Sequence, residues 1–239
     1  MVVAQRFYVG FNMIDESFNI KNSAMLNFFV DIAGIHSAKC GESFETSENR
    51  WLLLGYKLKI FRRPRYGEFV DISTWSSKFR GITALREFEI RNENGELMVA
   101  CLSNWVSINM VTRRMERLTE ERMAPYDSEP NRTNFEGETF DKLAEPENYD
   151  GSEDVLIDWK LIDLNKHLNN ANYMDVVEQV LPAEKRKLLN GNSFEVMYKK
   201  EILENQTVQC CYKIGPEEIV FAFKNKDSGE LHSVIKFNK

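Results

Sequence analysis

Residues 163–170 read Asp163-Leu164-Asn165-Lys166-His167-Leu168-Asn169-Asn170. The run follows an apolar stretch and precedes a segment with the apolar spacing of a helix. It places a carboxylate, a carboxamide and an imidazole at every second position, and an extended backbone turns alternate side chains to one side. Because buried polar groups need hydrogen-bond partners, three of them on one face predict a polar network rather than simple packing.

The surroundings of this run occur twice in the chain. A shift of 148 residues lays residues 7–32 over residues 155–180 without a gap, and their apolar positions coincide although most letters differ. In each copy, alternating apolar residues predict a strand, and apolar residues three and four apart then predict a helix. Residues 88–97 also resemble residues 221–231, and the Asn-Gly and Ser-Gly pairs within them indicate hairpin turns. We expect two related halves, each built from a strand, one long helix and several antiparallel strands.

A polar stretch separates the two halves. Residues 119–152 contain three of the six prolines and few apolar residues, which is typical of a linker. The predicted domains are therefore residues 1–118 and residues 153–239. In each of them the helix can bury its apolar stripe only against the sheet.

The overall composition excludes several classes of protein. With 43% hydrophobic and 28% charged residues the chain is typical of a soluble globular protein, and its net charge of −6 argues against nucleic acid as the main partner. No apolar run approaches the roughly 18 residues of a membrane helix, and the first residues do not resemble a signal peptide. The four cysteines form no CxxC pair, so reduced thiols in a cytoplasmic protein are expected: Cys40, Cys101, Cys210 and Cys211.

The chain resembles the acyl-acyl carrier protein thioesterases, a family of double hotdog proteins, and in particular their bacterial type. In the second half the resemblance rests on the Asp-x-Asn-x-His-x-Asn-Asn-x-x-Tyr motif of residues 163–173 and on Tyr198-Lys199-Lys200-Glu201. In the first half it rests on His36, Gly41, residues 51–54, residues 63–68 and Thr74-Trp75. The resemblance implies an α+β tandem hotdog, two units each with a long helix wrapped by an antiparallel sheet. It also implies hydrolysis of fatty acyl thioesters on acyl carrier protein, with no metal or organic cofactor.

Four catalytic residues are implied by the same resemblance, namely Asp163, Asn165, His167 and Glu201. One position departs from the pattern of the plant members, which have a cysteine directly after the glutamate, whereas this chain has Ile202. A cysteine nucleophile at that position is therefore excluded, and the resemblance implies attack by water.

Each of these groups has a chemical use in thioester hydrolysis. His167 or Glu201 could take the proton from water, with a slight preference for Glu201, and Asp163 could orient the imidazole. Asn165 could position the water or donate its amide to the oxyanion. Free backbone N–H groups of residues 170 and 171, at the helix start, could add to that stabilisation.

The matching positions of the first half read Asp15, Ser17 and Asn19, without a histidine. We therefore expect that half to form the acyl pocket and to carry no chemistry. His36 is expected to be a satisfied or partly exposed helix residue, and His232 to be structural. The predicted pocket residues are Met25, Phe28, Phe29 and Trp51.

An acyl carrier protein is strongly acidic, so an enzyme with net negative charge needs a local basic surface to receive it. The predicted carrier contacts are Lys199, Lys200, Arg62 and Arg63. Two alternatives stay open: an acyl-CoA thioesterase of the same fold, and a non-enzymatic acyl-binding hotdog protein. A homodimer is also open.

Overall fold

The computed structural model describes residues 1–42, residue 45 and residues 47–239. The chain divides into two compact units, Met1–Phe140 and Asp141–Lys239, which we call unit 1 and unit 2. None of the helices in these described ranges is long and apolar enough to cross a membrane.

Unit 1 contains an antiparallel sheet. Its strands are β1 (Val3–Tyr8), β2 (Asn49–Ile60), β3 (Phe69–Arg80), β4 (Thr83–Arg91), β5 (Leu97–Asn109) and β6 (Arg114–Met115). The order across the sheet is β1-β3-β4-β5-β2, and the short β6 pairs with β5. The predicted Asn-Gly turn joins β4 to β5, and Gly95 adopts φ +82°, a conformation that favours glycine.

One long helix, α1 (Asn22–Lys39), packs on this sheet. Residues three and four apart face inward, and Phe29 lies 4.7 Å from Phe88 of β4 between ring centroids. The helix ends where Gly41 turns the chain with φ +84° and donates its N–H to the Ala38 carbonyl. The core of unit 1 therefore lies between α1 and the sheet.

The first part of the predicted linker packs on unit 1. It contains a short helix, α2 (Glu120–Met123), which Thr119 caps by accepting the Arg122 N–H at 3.3 Å. Tyr126 and Phe135 are almost fully buried, and the Trp75 indole donates to the Arg132 carbonyl at 2.9 Å. The buried side chains of Tyr126 and Phe135 hold this otherwise polar segment against the sheet.

Unit 2 repeats the arrangement in a shorter form. Its elements are β7 (Gly151–Leu156), α3 (Asn172–Val180), β8 (Ser193–Tyr198), β9 (Thr207–Ile214), β10 (Glu218–Asn225) and β11 (Leu231–Asn238). The antiparallel order is β8-β11-β10-β9-β7. The helix has 9 residues against 18 in α1, so the expectation of a long helix was wrong in this unit. Pro182 explains the early end, because it disfavours helical geometry at Leu181, which has ψ 133°.

The predicted strands of the repeat are also shorter than expected. β1 ends at Tyr8 and β7 at Leu156, and single 3₁₀ turns follow at Phe11–Met13 and Trp159–Leu161. The same deviation in both units supports their common origin.

Candidate active site

The polar run of unit 2 forms a tight turn rather than the end of a strand. The Lys166 N–H donates to the Asp163 carbonyl at 3.0 Å, and Lys166 adopts φ +67°. The Asp163 N–H donates to the His167 carbonyl at 3.0 Å. The expected alternation along an extended strand was therefore wrong, and the turn itself brings the polar side chains together.

The carboxylate of Asp163 lies at the centre of this turn. One oxygen accepts the Asn165 backbone N–H at 2.7 Å, and the other accepts the Asn165 side-chain amide at 3.3 Å. The first oxygen also lies 3.8 Å from His167 Nδ1, a distance that suits charge stabilisation of a protonated imidazole rather than a hydrogen bond. The side chains of Asp163 and His167 are 19% and 16% exposed, so solvent reaches both.

Backbone hydrogen bonds bring Glu201 beside the same turn. The Leu168 N–H donates to the Ile202 carbonyl at 2.7 Å, and His167 forms a bridge with Leu203. On the other side of the glutamate, Lys200 is held by its N–H bond to the His232 carbonyl at 3.1 Å. Glu201 itself is exposed.

A tyrosine lies close to both carboxylates. Burial raises the pKa of Tyr173, and the negative charges of Asp163 and Glu201 raise it further. The ring packs edge-on against Tyr198 and Phe223, with centroid distances of 5.1 Å and 4.9 Å. Tyr173 is therefore a neutral phenol near both candidate carboxylates.

The predicted backbone donors at the start of α3 differ in their availability. The Ala171 N–H donates to the Asn169 side chain at 2.8 Å, so it is not free, and that part of the expectation was wrong. The Asn170 N–H has no acceptor within the described ranges, and the Tyr198 hydroxyl donates to the Asn170 carbonyl at 2.7 Å. Asn170 is thus the remaining backbone donor of the pair.

Unit 1 contains the same turn with different side chains. Asp15 accepts the backbone N–H groups of Ser17 and Asn19 at 2.8 Å and 3.0 Å, and Phe18 adopts φ +63° as Lys166 does in unit 2. Asn19 occupies the place of the histidine and bridges Arg65. The turn is retained, but its base is missing.

The residue of unit 1 that corresponds to Glu201 is also different. The Ile20 N–H donates to the Pro64 carbonyl as the Leu168 N–H does to Ile202, so Arg63 corresponds to the glutamate. Arg63 is only 9% exposed and donates to the Asn22 side-chain oxygen at 3.0 Å. A buried guanidinium cannot serve as a surface contact for a carrier, so that expectation was wrong for Arg63.

The other predicted carrier contacts lie on the surface. Arg62 is exposed and pairs with Glu68 at 2.8 Å. Lys199 and Lys200 are exposed, and Lys200 pairs with Glu230.

Three of the four predicted pocket residues belong to the inner face of α1. Met25, Phe28 and Phe29 are almost fully buried, and Phe28 lies 4.9 Å from Phe7 between ring centroids. Trp51 lies elsewhere in unit 1, where its indole donates to the Tyr126 hydroxyl at 3.0 Å.

The sequence does not reveal a buried polar cluster in unit 1. His36 is fully buried, against the expectation of partial exposure or full satisfaction, and its Nδ1 lies 2.8 Å from the Arg86 guanidinium. Its Nε2 has no hydrogen-bond partner within the described residues. Burial, with the charge of Arg86, lowers the pKa of His36 to about 3. The available signal was Arg86 itself, a charge at an alternating position of β4 whose other members, Ala84, Phe88 and Ile90, are apolar.

The cysteines are poor candidates for a nucleophile. Cys210 and Cys211 are buried free thiols in β9, and burial raises the pKa of both, which disfavours the reactive thiolate. Among the described residues, no cluster of three or more His, Cys, Asp or Glu side chains is arranged to hold a metal ion.

The fold is hotdog-like, with helices packed on antiparallel sheets, and comparison with protein families assigns the chain further. The model of the acyl-ACP thioesterase N-terminal domain matches residues 1–126, and that of the C-terminal domain matches residues 147–237. The chain belongs to the acyl-ACP thioesterase family.

Curated relatives carry names of the same family. Over 216 residues the chain is 26% identical to the palmitoyl-acyl carrier protein thioesterase of Cuphea hookeriana, covering 84% of this chain and 52% of that protein. It is 25% identical over 173 residues to oleoyl-acyl carrier protein thioesterase 2 of Arabidopsis thaliana, covering 66% and 46%. The chain spans about half the length of the curated relatives it matches.

Two solved structures share the fold. The acyl-ACP thioesterase from Bacteroides thetaiotaomicron VPI-5482 aligns with a TM-score of 0.84 at 18% identity, covering 99% of this chain and 97% of that one. The 12:0-ACP thioesterase from Umbellularia californica aligns with a TM-score of 0.83 at 18% identity, covering 99% and 96%.

Proposed function

We propose that this protein hydrolyses fatty acyl thioesters of acyl carrier protein, releasing free fatty acid and holo-carrier. The observation that carries the proposal is the turn that holds Asp163, Asn165 and His167 together beside Glu201. The same turn in unit 1 has lost the histidine and faces Arg63 in place of the glutamate. Family membership supports the reaction class.

In the proposed mechanism, water attacks the thioester carbonyl carbon. Glu201 takes the proton from that water, and His167 shares this role, with Asp163 stabilising the imidazolium that results. The carbonyl oxygen becomes an oxyanion, to which the Asn170 N–H or the Asn165 amide donates. Collapse of the intermediate breaks the C–S bond, and the departing thiolate receives the proton held by the base.

The two units have different proposed roles. We infer that each is a hotdog and that the chain is a double hotdog, in which unit 2 performs the chemistry. Unit 1 supplies the acyl pocket, lined by Met25, Phe28 and Phe29. The homodimer and the cytoplasmic location stay predictions.

The carrier is expected to approach an exposed basic surface. Lys199 and Lys200 precede Glu201 directly, and Arg62 is the corresponding surface group of unit 1. Arg63 is not among the proposed carrier contacts, because its side chain is buried.

The proposal is tested by release of free thiol from one acyl group presented on two carriers. We expect hydrolysis of the acyl carrier protein thioester above background, at a higher kcat/KM than for the matching coenzyme A thioester. Faster hydrolysis of the coenzyme A thioester would favour the alternative thioesterase. Hydrolysis of neither substrate, together with retained binding of acyl chains, would favour the acyl-binding protein.

Removal of the buried thiols of β9 should leave catalysis intact. The variants Cys210→Ala and Cys211→Ala are expected to keep turnover within about twofold of the parent, because water rather than a thiolate attacks. Initial rates and the absence of a covalent acyl adduct by intact mass spectrometry check this. A hundredfold loss in either variant with unchanged folding would restore the cysteine mechanism.

A further inference from the structure

Unit 2 exposes large apolar side chains around the candidate catalytic turn. Trp159 is 70% exposed, Leu164 is 84% exposed and Leu203 is 43% exposed. Single exposed apolar residues are ordinary, but several in one place on a protein surface indicate a binding surface.

Backbone hydrogen bonds group these three residues beside the catalytic groups. Trp159 begins the 3₁₀ turn that enters the run, and its carbonyl accepts the Ile162 N–H at 3.3 Å. Leu164 follows Asp163 directly in the turn, and Leu203 is bridged to His167. All three therefore lie on the loops that carry Asp163, His167 and Glu201.

Two lysines of the same loops have no ion-pair partner among the residues that the structure describes. Lys160 and Lys166 are exposed and form no ion pair within the described ranges, whereas Lys213 and Lys226 pair with nearby aspartates at 2.7 Å. We define the turn surface as Trp159, Lys160, Leu164, Lys166 and Leu203. Its apolar residues and unpaired cations are suited to a partner with an acidic rim around an apolar centre.

Besides Asp163 and Glu201, two acidic residues lie in these loops. The Asp158 carboxylate accepts the Lys160 backbone N–H at 2.8 Å and caps the 3₁₀ turn. Glu204 is exposed beside Leu203. Glu204 therefore borders the turn surface with a negative charge that is expected to repel an acidic partner.

We propose that the turn surface is the docking site of acyl carrier protein. This inference rests on the proposed function, since the carrier must deliver its phosphopantetheine thioester to Asp163, His167 and Glu201. The carrier is acidic, and its prosthetic arm ties the thioester to its own surface, so it must sit at the mouth of the site. Trp159 supplies the rigid apolar anchor, and the unpaired lysines steer the approach.

Unit 1 offers a matched control. Phe11 corresponds to Trp159 in the repeat, begins the equivalent 3₁₀ turn and is 76% exposed. The turn of unit 1 lacks the histidine and the glutamate, so a carrier docked there delivers its thioester to no base. Phe11→Ala therefore removes a similar exposed aromatic ring without changing the turn surface.

The test compares two thioesters of the same acyl group, one on acyl carrier protein and one on free pantetheine. For Trp159→Ala combined with Lys160→Glu, kcat/KM on the carrier substrate is expected to fall about tenfold relative to that on acyl-pantetheine, mainly through KM. Glu204→Lys should change the same ratio in the opposite direction, by about two- to threefold. Phe11→Ala should leave the ratio unchanged.

A direct measurement of carrier binding distinguishes failure of this docking proposal from failure of the proposed function. Holo-acyl carrier protein is titrated against each variant by calorimetry, which needs no hydrolysis. If the wild type binds the carrier through Trp159 yet hydrolyses neither thioester, the docking site stands and the proposed function fails. If binding and the ratio are unaffected by the double variant, or Phe11→Ala weakens them equally, the docking proposal is overturned. It is also overturned if the double variant instead turns a dimer into a monomer, because the surface then holds a second copy.

Discussion

His167→Ala is expected to lower kcat for an acyl carrier protein thioester by about 10² to 10⁴. The imidazole lies 3.8 Å from the Asp163 carboxylate, which can stabilise it when it holds a proton. Alanine removes the group that takes or shares that proton, whereas the turn is held by backbone bonds and by Asp163, which alanine leaves in place. KM should change little, because the imidazole acts on water rather than on the acyl chain.

The matched control for this variant is Asn19→Ala. Asn19 occupies the corresponding place in the turn of unit 1, and its side-chain oxygen accepts a 3.4 Å bond from Arg65. We expect wild-type turnover from it. Glu201→Gln separates the two candidate bases, since the variant with the larger loss identifies the group that takes the proton. Wild-type rates in His167→Ala, with an unchanged circular dichroism spectrum, contradict the catalytic assignment.

Acidification from pH 7 to pH 4.5 is expected to remove roughly 2 kcal/mol more unfolding free energy from the wild type than from His36→Gln. The pKa of His36 is lowered in the folded protein to about 3 by burial and by the charge of Arg86. The unfolded chain has the ordinary value of about 6.5, so it binds the proton first as the pH falls. Stability is therefore complete above about pH 6.5 and is lost progressively toward pH 3.

Urea unfolding at the two pH values measures this difference. The carboxylates titrate in both proteins, so their contribution cancels when the variant is subtracted from the wild type. Glutamine keeps an oxygen that can accept from Arg86 but has no proton to gain. The positive groups that act on His36 are Arg86, Lys39 and the amino terminus, all of which oppose its protonation. An equal acid loss in both proteins shows that the histidine does not cause it.

Much of the fold can be read from apolar periodicity. The repeat between residues 7–32 and 155–180 predicts a helix in each unit, and both helices are present. The Asn-Gly and Ser-Gly pairs predict hairpins, and β4–β5 and β10–β11 are paired across them. These features are local, because spacing along the chain decides which face of an element is apolar.

Element ends were less predictable. Apolar residues continue beyond Tyr8 and Leu156, so the pattern extends each strand too far. Shortly after these ends the chain enters 3₁₀ turns, in which the Met13 N–H donates to the Gly10 carbonyl and the Leu161 N–H to the Asp158 carbonyl. Helix α3 ends early because Pro182 acts over a single residue, which a window of apolar spacing does not detect.

The sequence by itself determined which residue types stand in the polar run, that the run occurs in two copies, and that only the second copy has a histidine. Tertiary structure decided which of them meet. Glu201 is distant in the chain from His167, and their proximity depends on the Leu168 to Ile202 hydrogen bond. The burial of Arg63 and His36 was decided in the same way. Composition and spacing describe neighbours along the backbone, whereas hydrogen-bond partners and exposure depend on which segments pack together from far apart.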